Sequence, residues 1–150
     1  MNITAKQIKF LRNQTGAGMM EVKQALEEAK GNESKAKQIL KNKGLKKAAK
    51  RADKEANEGQ VFGYIHNGGR VASLVKILCE TDFVARSDNF VQLGKEVAMQ
   101  IASMEPKDVK ELLKQTYIRD SQQTVADLVM AVSAKVKEKI EIKEIARISL

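Results

Sequence analysis

The chain has 150 residues, enough for one ordinary domain or for a small module beside a compact core. Hydrophobic residues make up 43% and charged residues 31%, a balance typical of a globular protein and not of a disordered one. Lys and Arg outnumber Asp and Glu by 27 to 19, so the net charge of +8 suits either RNA or an acidic protein surface. A single Cys excludes an internal disulfide framework, and a single Cys with a single His makes a zinc site improbable.

Membrane and secretion signals are missing from the sequence. No stretch approaches about 20 consecutive apolar residues, the length that a membrane-spanning helix needs. Charged side chains interrupt every apolar run near the N-terminus, where a signal peptide would require an unbroken one. We therefore expect a cytoplasmic protein with no membrane partner.

Three short helices are predicted in residues 1–45, because apolar residues there recur at helical spacing. The predicted ends lie at Gly16-Ala17-Gly18, Gly31-Asn32 and Gly44, where glycine can adopt a positive φ after a helix. Three helices in so few residues leave a thin core. The residues that define the three apolar faces are Ala5, Ile8 and Leu11, then Val22, Ala25, Leu26 and Ala29, then Ala36, Ile39 and Leu40.

Residues 46–58 form a basic segment with little apolar periodicity, which indicates a solvated linker with helical propensity. Its cations are candidates for binding RNA, the alternative function that the net charge leaves open. A solvated helix face explains the same cluster, since no aromatic side chain is interleaved with it. We therefore expect no specific nucleic-acid partner. The cations concerned are Lys46, Lys47, Lys50, Arg51 and Lys54.

The pattern changes to strands after Gly59. Residues 60–66 and 70–79 are rich in Val, Ile, Leu and aromatics, and Asn67-Gly68-Gly69 between them predicts a β-hairpin. The second strand has apolar residues on both faces, which favours a central position in its sheet. A third strand is expected in Ile140–Leu150, with a bulge near Lys143.

Helices are predicted between the second and third strands. The first runs from about Asp88 to Ser103, where Gly94 permits close approach to whatever lies beneath it. Pro106 suits the first turn of a short helix. Thr124 and Asp127 have the spacing of a capping box before the last helix. The predicted fold class is α+β: a three-helix module in residues 1–45, a linker, and in residues 59–150 a core of about three antiparallel strands with helices packed on it.

No catalytic constellation is recognised in the sequence. His66 stands beside the hairpin turn without a second ligand or a partner base, and Cys79 closes an apolar strand as a small buried residue would. Gly16-Ala17-Gly18 lacks the Gly-Lys-Ser/Thr ending of a phosphate-binding loop and indicates an ordinary turn. We therefore expect neither an enzyme nor a metal or cofactor site.

Two segments allow both a structural and a binding interpretation. Met19 and Met20 open the second helix, where composition favours a place in the core over an adaptable contact patch. Asp82 and Phe83 lie at a corner between strand and helix. The local sequence leaves two interpretations open. In the first, Phe83 is a core residue and Asp82 caps a helix; in the second, both side chains project as a wedge, a carboxylate beside an aromatic ring. Locally, the first interpretation is at least as good as the second.

These segments closely resemble the elongation factor Ts family. The resemblance is carried by Thr15-Gly16-Ala17-Gly18-Met19-Met20, followed by Lys23 and Ala25-Leu26, and by Thr81-Asp82-Phe83-Val84-Ala85-Arg86. It covers residues 1–105 well, and residues 116–150 resemble the last helix and strand of the family. Longer members have a duplicated core, and many carry a helical hairpin where this chain has only Leu113–Thr124. Ser87 stands where Asn is usual, a minor change because both cap helices.

The resemblance implies a guanine-nucleotide exchange factor that binds GDP-bound elongation factor Tu, a translational GTPase, and promotes GDP release. It implies an N-terminal module similar to a ubiquitin-associated domain, without ubiquitin binding, and a dimerisation-type core that allows a homodimer. Thr81, Asp82, Phe83 and Val84 match the segment that approaches the magnesium site of the partner. Arg12, Met19 and Met20 match the contact between the N-terminal module and the GTPase domain.

Overall fold

The computed structural model describes residues 2–150. The chain begins with three helices that enclose a small apolar core, and each boundary has a local cause. Thr4 and Gln7 form a capping box at the start of the first helix, Gly16 ends it at φ 67°, and the Asn32 side chain caps the third. The helices are α1 (Ala5–Thr15), α2 (Met19–Glu28) and α3 (Glu33–Arg51). Their core consists of Leu11, Val22, Ala25, Leu26, Ala29, Ala36 and Leu40.

Helix α3 does not end at Gly44, so the predicted break there is wrong. The helix continues to Arg51 and includes the first six residues of the basic segment 46–58. Glycine costs a helix only about 1 kcal/mol relative to alanine, and the Lys- and Ala-rich stretch that follows favours helix. Gly44 also lies against the last long helix, because a β-carbon on it would stand 3.1 Å from the Met130 sulfur.

The second half of the chain is built on an antiparallel three-stranded sheet, in which β2 (Val71–Cys79) lies between β1 (Glu58–His66) and β5 (Glu141–Ser149). The predicted hairpin is confirmed: Asn67, Gly68 and Gly69 all have positive φ and join the first two strands. β2 is central, as its apolar pattern predicts. The elements are β1 (Glu58–His66), β2 (Val71–Cys79), α4 (Asp82–Ala85), α5 (Asp88–Met104), α6 (Val109–Lys114), β3 (Thr116–Tyr117), β4 (Asp120–Thr124), α7 (Val125–Val136) and β5 (Glu141–Ser149).

One face of the sheet packs on α5 and forms the main core. Gly94 makes this contact possible, because a β-carbon there would lie 2.2 Å from the Phe62 ring. Phe62 and Phe90 meet with their ring centroids 5.9 Å apart, beside buried Val75 and Ile77. Within residues 2–150, no helix packs on the opposite face, which exposes large apolar side chains from each strand: Val61, Ile65, Leu74 and Ile148.

The later helices match the predictions in part. The capping box of Thr124 and Asp127 is confirmed, and so is the bulge, since the β2–β5 register slips by one residue at Lys143. Pro106 does not open a helix, because the Asp108 side chain caps α6 and the helix begins at Val109. The short β3–β4 hairpin was not predicted. The α+β class is confirmed.

The N-terminal helices are docked on α7. Gly16 approaches so closely that a β-carbon would stand 2.0 Å from the Ala131 carbonyl oxygen. Lys41 Nζ lies 3.0 Å from Asp127 Oδ1, and Lys37 Nζ donates to the Gln122 carbonyl at 3.1 Å. The module and the sheet domain therefore share a contact surface. Among residues 2–150, no helix combines the length and apolar character needed to cross a membrane.

Candidate functional site

The corner between β2 and α4 projects Phe83 into solvent. Thr81 caps α4 by accepting the backbone N–H of Val84 at 3.2 Å. Within this four-residue helix, Phe83 is 79% exposed whereas Val84 is buried beneath it. The interpretation of Phe83 as a core residue and of Asp82 as the cap is therefore wrong: Thr81 is the cap, and the aromatic ring stands free of the fold.

Asp82 is the second exposed group of this corner. Its carboxylate pairs with Arg86 one helical turn later, with Oδ2 2.6 Å from the guanidinium Nη2. Both side chains are more than 60% exposed, and a pair of this kind contributes at most about 0.5 kcal/mol. The carboxylate is therefore available to another molecule at little energetic cost.

The corner rests on a buried strand end. Cys79 is fully buried, and its thiol donates to the Thr81 carbonyl at 3.2 Å. Burial, with a smaller contribution from the nearby Glu138 carboxylate, raises the pKa of Cys79 to about 11. The thiol is thus protonated at neutral pH, which fits the small buried residue that the sequence predicts. Glu138 also contacts the corner directly, a contact between residues 57 apart that no local sequence signal indicates.

Met19 and Met20 are exposed at the start of α2, at 57% and 62%. The composition-based interpretation that places them in the core is therefore wrong. They line a groove of about 1080 Å³ together with Arg12, Lys135 and Lys137. The groove reaches Asn89 at the start of α5, the helix that follows the Phe83 corner. The structure thus brings Arg12, Met19 and Met20 together on one surface.

The remaining candidates have structural explanations. His66 is exposed, and its Nδ1 lies 3.0 Å from the Tyr64 hydroxyl. Lys47 of the basic segment pairs with Glu21, and this hydrogen bond lowers the pKa of Glu21. Gly16 packs closely against α7, and this contact explains a glycine in the Gly16-Ala17-Gly18 turn without a phosphate-binding role.

The chain is similar to known proteins along its whole length. A model of the family described as elongation factor TS matches residues 80–150. The elongation factor Ts of Syntrophobacter fumaroxidans is 37% identical over 195 aligned positions, which cover 100% of this chain and 98% of that protein. That of Thermoanaerobacter sp. strain X514 is 40% identical, covering 97% and 93%. That of Fervidobacterium nodosum is 51% identical over 71% of this chain and 54% of its own length.

Exposed methionine and phenylalanine side chains on a charged surface are typical of proteins that bind another protein. The relatives place the chain in the class of translation elongation factors. The chain belongs to the elongation factor Ts family. The alignment with the Syntrophobacter protein has 195 positions against 150 residues here, so this chain lacks segments that the relative has.

Proposed function

We propose that the chain is a guanine-nucleotide exchange factor for elongation factor Tu, acting in the cytoplasm during translation elongation. It binds the GDP-bound GTPase, promotes the release of GDP and so allows GTP to bind. The observation that supports this most directly is the exposure of Phe83 at a capped corner, within the segment Thr81–Arg86 that carries the family resemblance.

The proposed mechanism is displacement without covalent chemistry. Phe83 inserts into the GTPase as a wedge, and Asp82 disturbs the hydrogen bonds that support the Mg²⁺ ion of the partner. Thr81 and Val84 hold the wedge at its base, the first as the helix cap and the second as a buried anchor. Because Mg²⁺ bridges the nucleotide and the protein, displacing its ligands weakens the binding of both the metal and the phosphates.

The exposed surface of Phe83 is large enough for this role. A buried Phe removes about 150–250 Å² from water, so a ring that is 79% exposed still has about 160 Å² to bury. At about 25 cal/mol per Å², complete burial contributes up to about 4 kcal/mol. If half of this survives the ordering costs of binding, the affinity for nucleotide changes by about 30-fold.

Linkage makes the effect reciprocal. If the factor weakens GDP binding by a given ratio, GDP weakens factor binding by the same ratio. Added GDP or GTP therefore releases the factor, which is the step that an exchange catalyst needs in order to act again.

The N-terminal module supplies the second contact. Met19 and Met20 offer flexible apolar surface, and Arg12 beside them adds a positive charge in the same groove. We propose that this surface binds the GTPase domain and adds affinity, whereas the Phe83 corner acts on the nucleotide site. Replacing both methionines with Ala should therefore raise the factor concentration needed for half-maximal exchange and leave the maximal rate nearly unchanged.

The experiment that tests the proposal is stopped-flow release of fluorescent GDP from elongation factor Tu. We expect fast release with wild type and release about 30-fold slower with Phe83→Ala, whose fold is retained because the ring is exposed. Leu45→Ala is the matched control, since Leu45 is an apolar side chain that is 53% exposed but lies on α3, outside every contact surface proposed for the chain. Equal rates for wild type and F83A refute the wedge. Absence of acceleration by wild type refutes the exchange function, and RNA binding by the cations of segment 46–58 is then tested by its salt dependence.

We also propose a homodimer formed through the open face of the sheet. This face combines the exposed side chains of Val61, Ile65, Leu74 and Ile148. A Lys76–Glu144 pair, 3.3 Å apart, adds one charge of each sign, which a second copy related by a twofold axis can complement. Leu74→Glu should shift sedimentation equilibrium toward the monomer, whereas F83A should not. A monomeric wild type at high micromolar concentration contradicts the dimer.

A further inference from the structure

The carboxylate of Glu138 connects the end of α7 to the Phe83 corner. Its Oε2 accepts the backbone N–H groups of Glu80 and Thr81, each at 3.1 Å. Its Oε1 accepts the Thr81 hydroxyl at 2.7 Å. Both carboxylate oxygens are therefore occupied by donors from the two residues that lead into α4.

Glu138 is itself held in place by its surroundings. Lys137 ends α7 with a positive φ of 59°, and the Ser133 hydroxyl donates to the Glu138 carbonyl. The adjacent Lys139 N–H donates to Glu80 Oε1 at 2.6 Å, so hydrogen bonds between the two segments run in both directions. The turn after α7 and the end of β2 thus form one hydrogen-bonded unit.

This unit determines where Phe83 points. Helix α4 has only four residues, too few to be stable by its own hydrogen bonds. The Thr81 hydroxyl that donates to Glu138 also accepts the Val84 N–H, so the cap of α4 depends on the position of the carboxylate. Because most of the Phe83 ring is free of the fold, its direction follows from the backbone of residues 81–84.

We propose that Glu138 is a positioning residue for nucleotide exchange: it fixes the corner so that Phe83 and Asp82 meet the partner in one orientation. The inference rests on the proposed function. It assigns a role to a residue that lies outside both motifs of the family resemblance and acts through Thr81.

Two variants of Glu138 separate geometry from charge. Glu138→Ala removes the acceptors of three hydrogen bonds, and we expect maximal GDP release from elongation factor Tu to slow about tenfold. The half-saturating concentration should change little, because Met19 and Met20 are untouched. Glu138→Gln should keep at least half of the rate, since its amide oxygen still accepts the backbone N–H groups while its NH₂ donates to Thr81. Glu33→Ala is the matched control, because Glu33 is exposed at the start of α3 and lies outside both the Phe83 corner and the surface of Arg12, Met19 and Met20.

A double-mutant cycle distinguishes positioning from a general structural role. If Glu138 acts through the wedge, E138A should slow a Phe83→Ala protein less than twofold further. If the fold-changes in GDP release caused by E138A and F83A multiply in the double variant, the two residues act independently and the proposal is overturned. If E138A does not fold, Glu138→Asp takes its place, because it keeps the charge and withdraws the carboxylate by one methylene. We then expect Glu138→Asp to slow GDP release severalfold, and release at the wild-type rate would overturn the proposal.

The failures of the two proposals have different signatures. A wild-type rate for F83A refutes the wedge and with it the role of Glu138. A slow F83A beside a fast, folded E138A refutes only the positioning role. Amide hydrogen exchange gives an independent readout: E138A should speed exchange at Thr81 and Val84 at least tenfold, with the protection of β1 unchanged. Unchanged protection at both amides overturns the inference.

Discussion

Gly16 and Gly18 stand two residues apart in one turn, but we expect their replacement by Ala to have very different effects. Gly16 has a φ of 67°, and a β-carbon there would stand 2.0 Å from the Ala131 carbonyl oxygen and 2.9 Å from its carbonyl carbon. Gly18 has a φ of −66°, which suits any residue, and its nearest neighbour is the flexible Glu21 carboxylate at 3.7 Å. The two substitutions add the same atom to places that differ only in backbone conformation and space.

The expected magnitudes follow from these distances. A non-glycine residue in the left-handed region costs about 1–2 kcal/mol. An ordinary contact needs about 3.4 Å, so the α7 backbone must also move by more than 1 Å, at a cost of about 1–3 kcal/mol for an overpacked site. Gly16→Ala should therefore lower the free energy of unfolding by about 2–5 kcal/mol. Gly18→Ala should change the free energy of unfolding by less than about 1 kcal/mol. It replaces a good helix cap, which lowers stability, but it also makes the unfolded chain less flexible, which raises stability by a similar amount.

Urea unfolding of both variants, followed by circular dichroism, measures the difference. Hydrogen exchange should show the weakening of Gly16→Ala in α1 and α7, which meet at this contact. A Gly16→Ala protein within 1 kcal/mol of wild type would refute the reasoning, and so would equal losses at the two glycines.

Two further predictions concern titratable groups. Burial raises the pKa of Asp127, but the Thr124 N–H bond and Lys41 outweigh it, so the pKa in the folded protein lies below the ordinary value near 4. The carboxylate therefore stabilises the fold above about pH 4 and loses this contribution as the pH falls through the folded pKa. Wild type should be more stable than Asp127→Asn at pH 7, with a gap that narrows below pH 4 in urea titrations. A gap that widens in acid contradicts this assignment. The pKa of Cys79 is about 11 in the folded protein and about 8.5 in an unfolded chain. Because the thiolate is the reactive form, iodoacetamide at pH 8.5 should label Cys79 about 100-fold more slowly in the native protein than in urea. Comparable labelling rates would show that the thiol is accessible.

Local signals in the sequence predict the elements whose causes are local. The capping box at Thr124 and Asp127, the Asn67-Gly68-Gly69 hairpin and the bulge at Lys143 follow from residues within a few positions of one another. The same reasoning fails at Gly44, where contact with Met130 and strong helix formers carry α3 onward. A glycine is thus a weak stop signal when its neighbours favour helix.

The candidate site is predicted unevenly for the same reason. The family resemblance locates Phe83 and the two methionines, but their exposure depends on which faces α2 and α4 turn to the core. The contact of Glu138 with Thr81 forms only when the turn after α7 reaches the end of β2. Gly16 and Gly18 are likewise indistinguishable in sequence, since only α7 makes the first position crowded.

The residues that flank the β3–β4 hairpin, Gln115 and Val125, lie next to each other. The Val125 N–H donates to the Gln115 carbonyl at 3.0 Å, so the residues on either side of the hairpin are joined. Its base is also anchored to α5, where buried Gln100 bonds to Thr116 and Ile118. A segment inserted at the tip of the hairpin, between Ile118 and Arg119, would keep this closed base, the bonds of Gln100 and the Thr124 cap of α7. The hairpin is therefore a site at which chain length can vary, and a helical hairpin inserted there should leave the Phe83 corner in place.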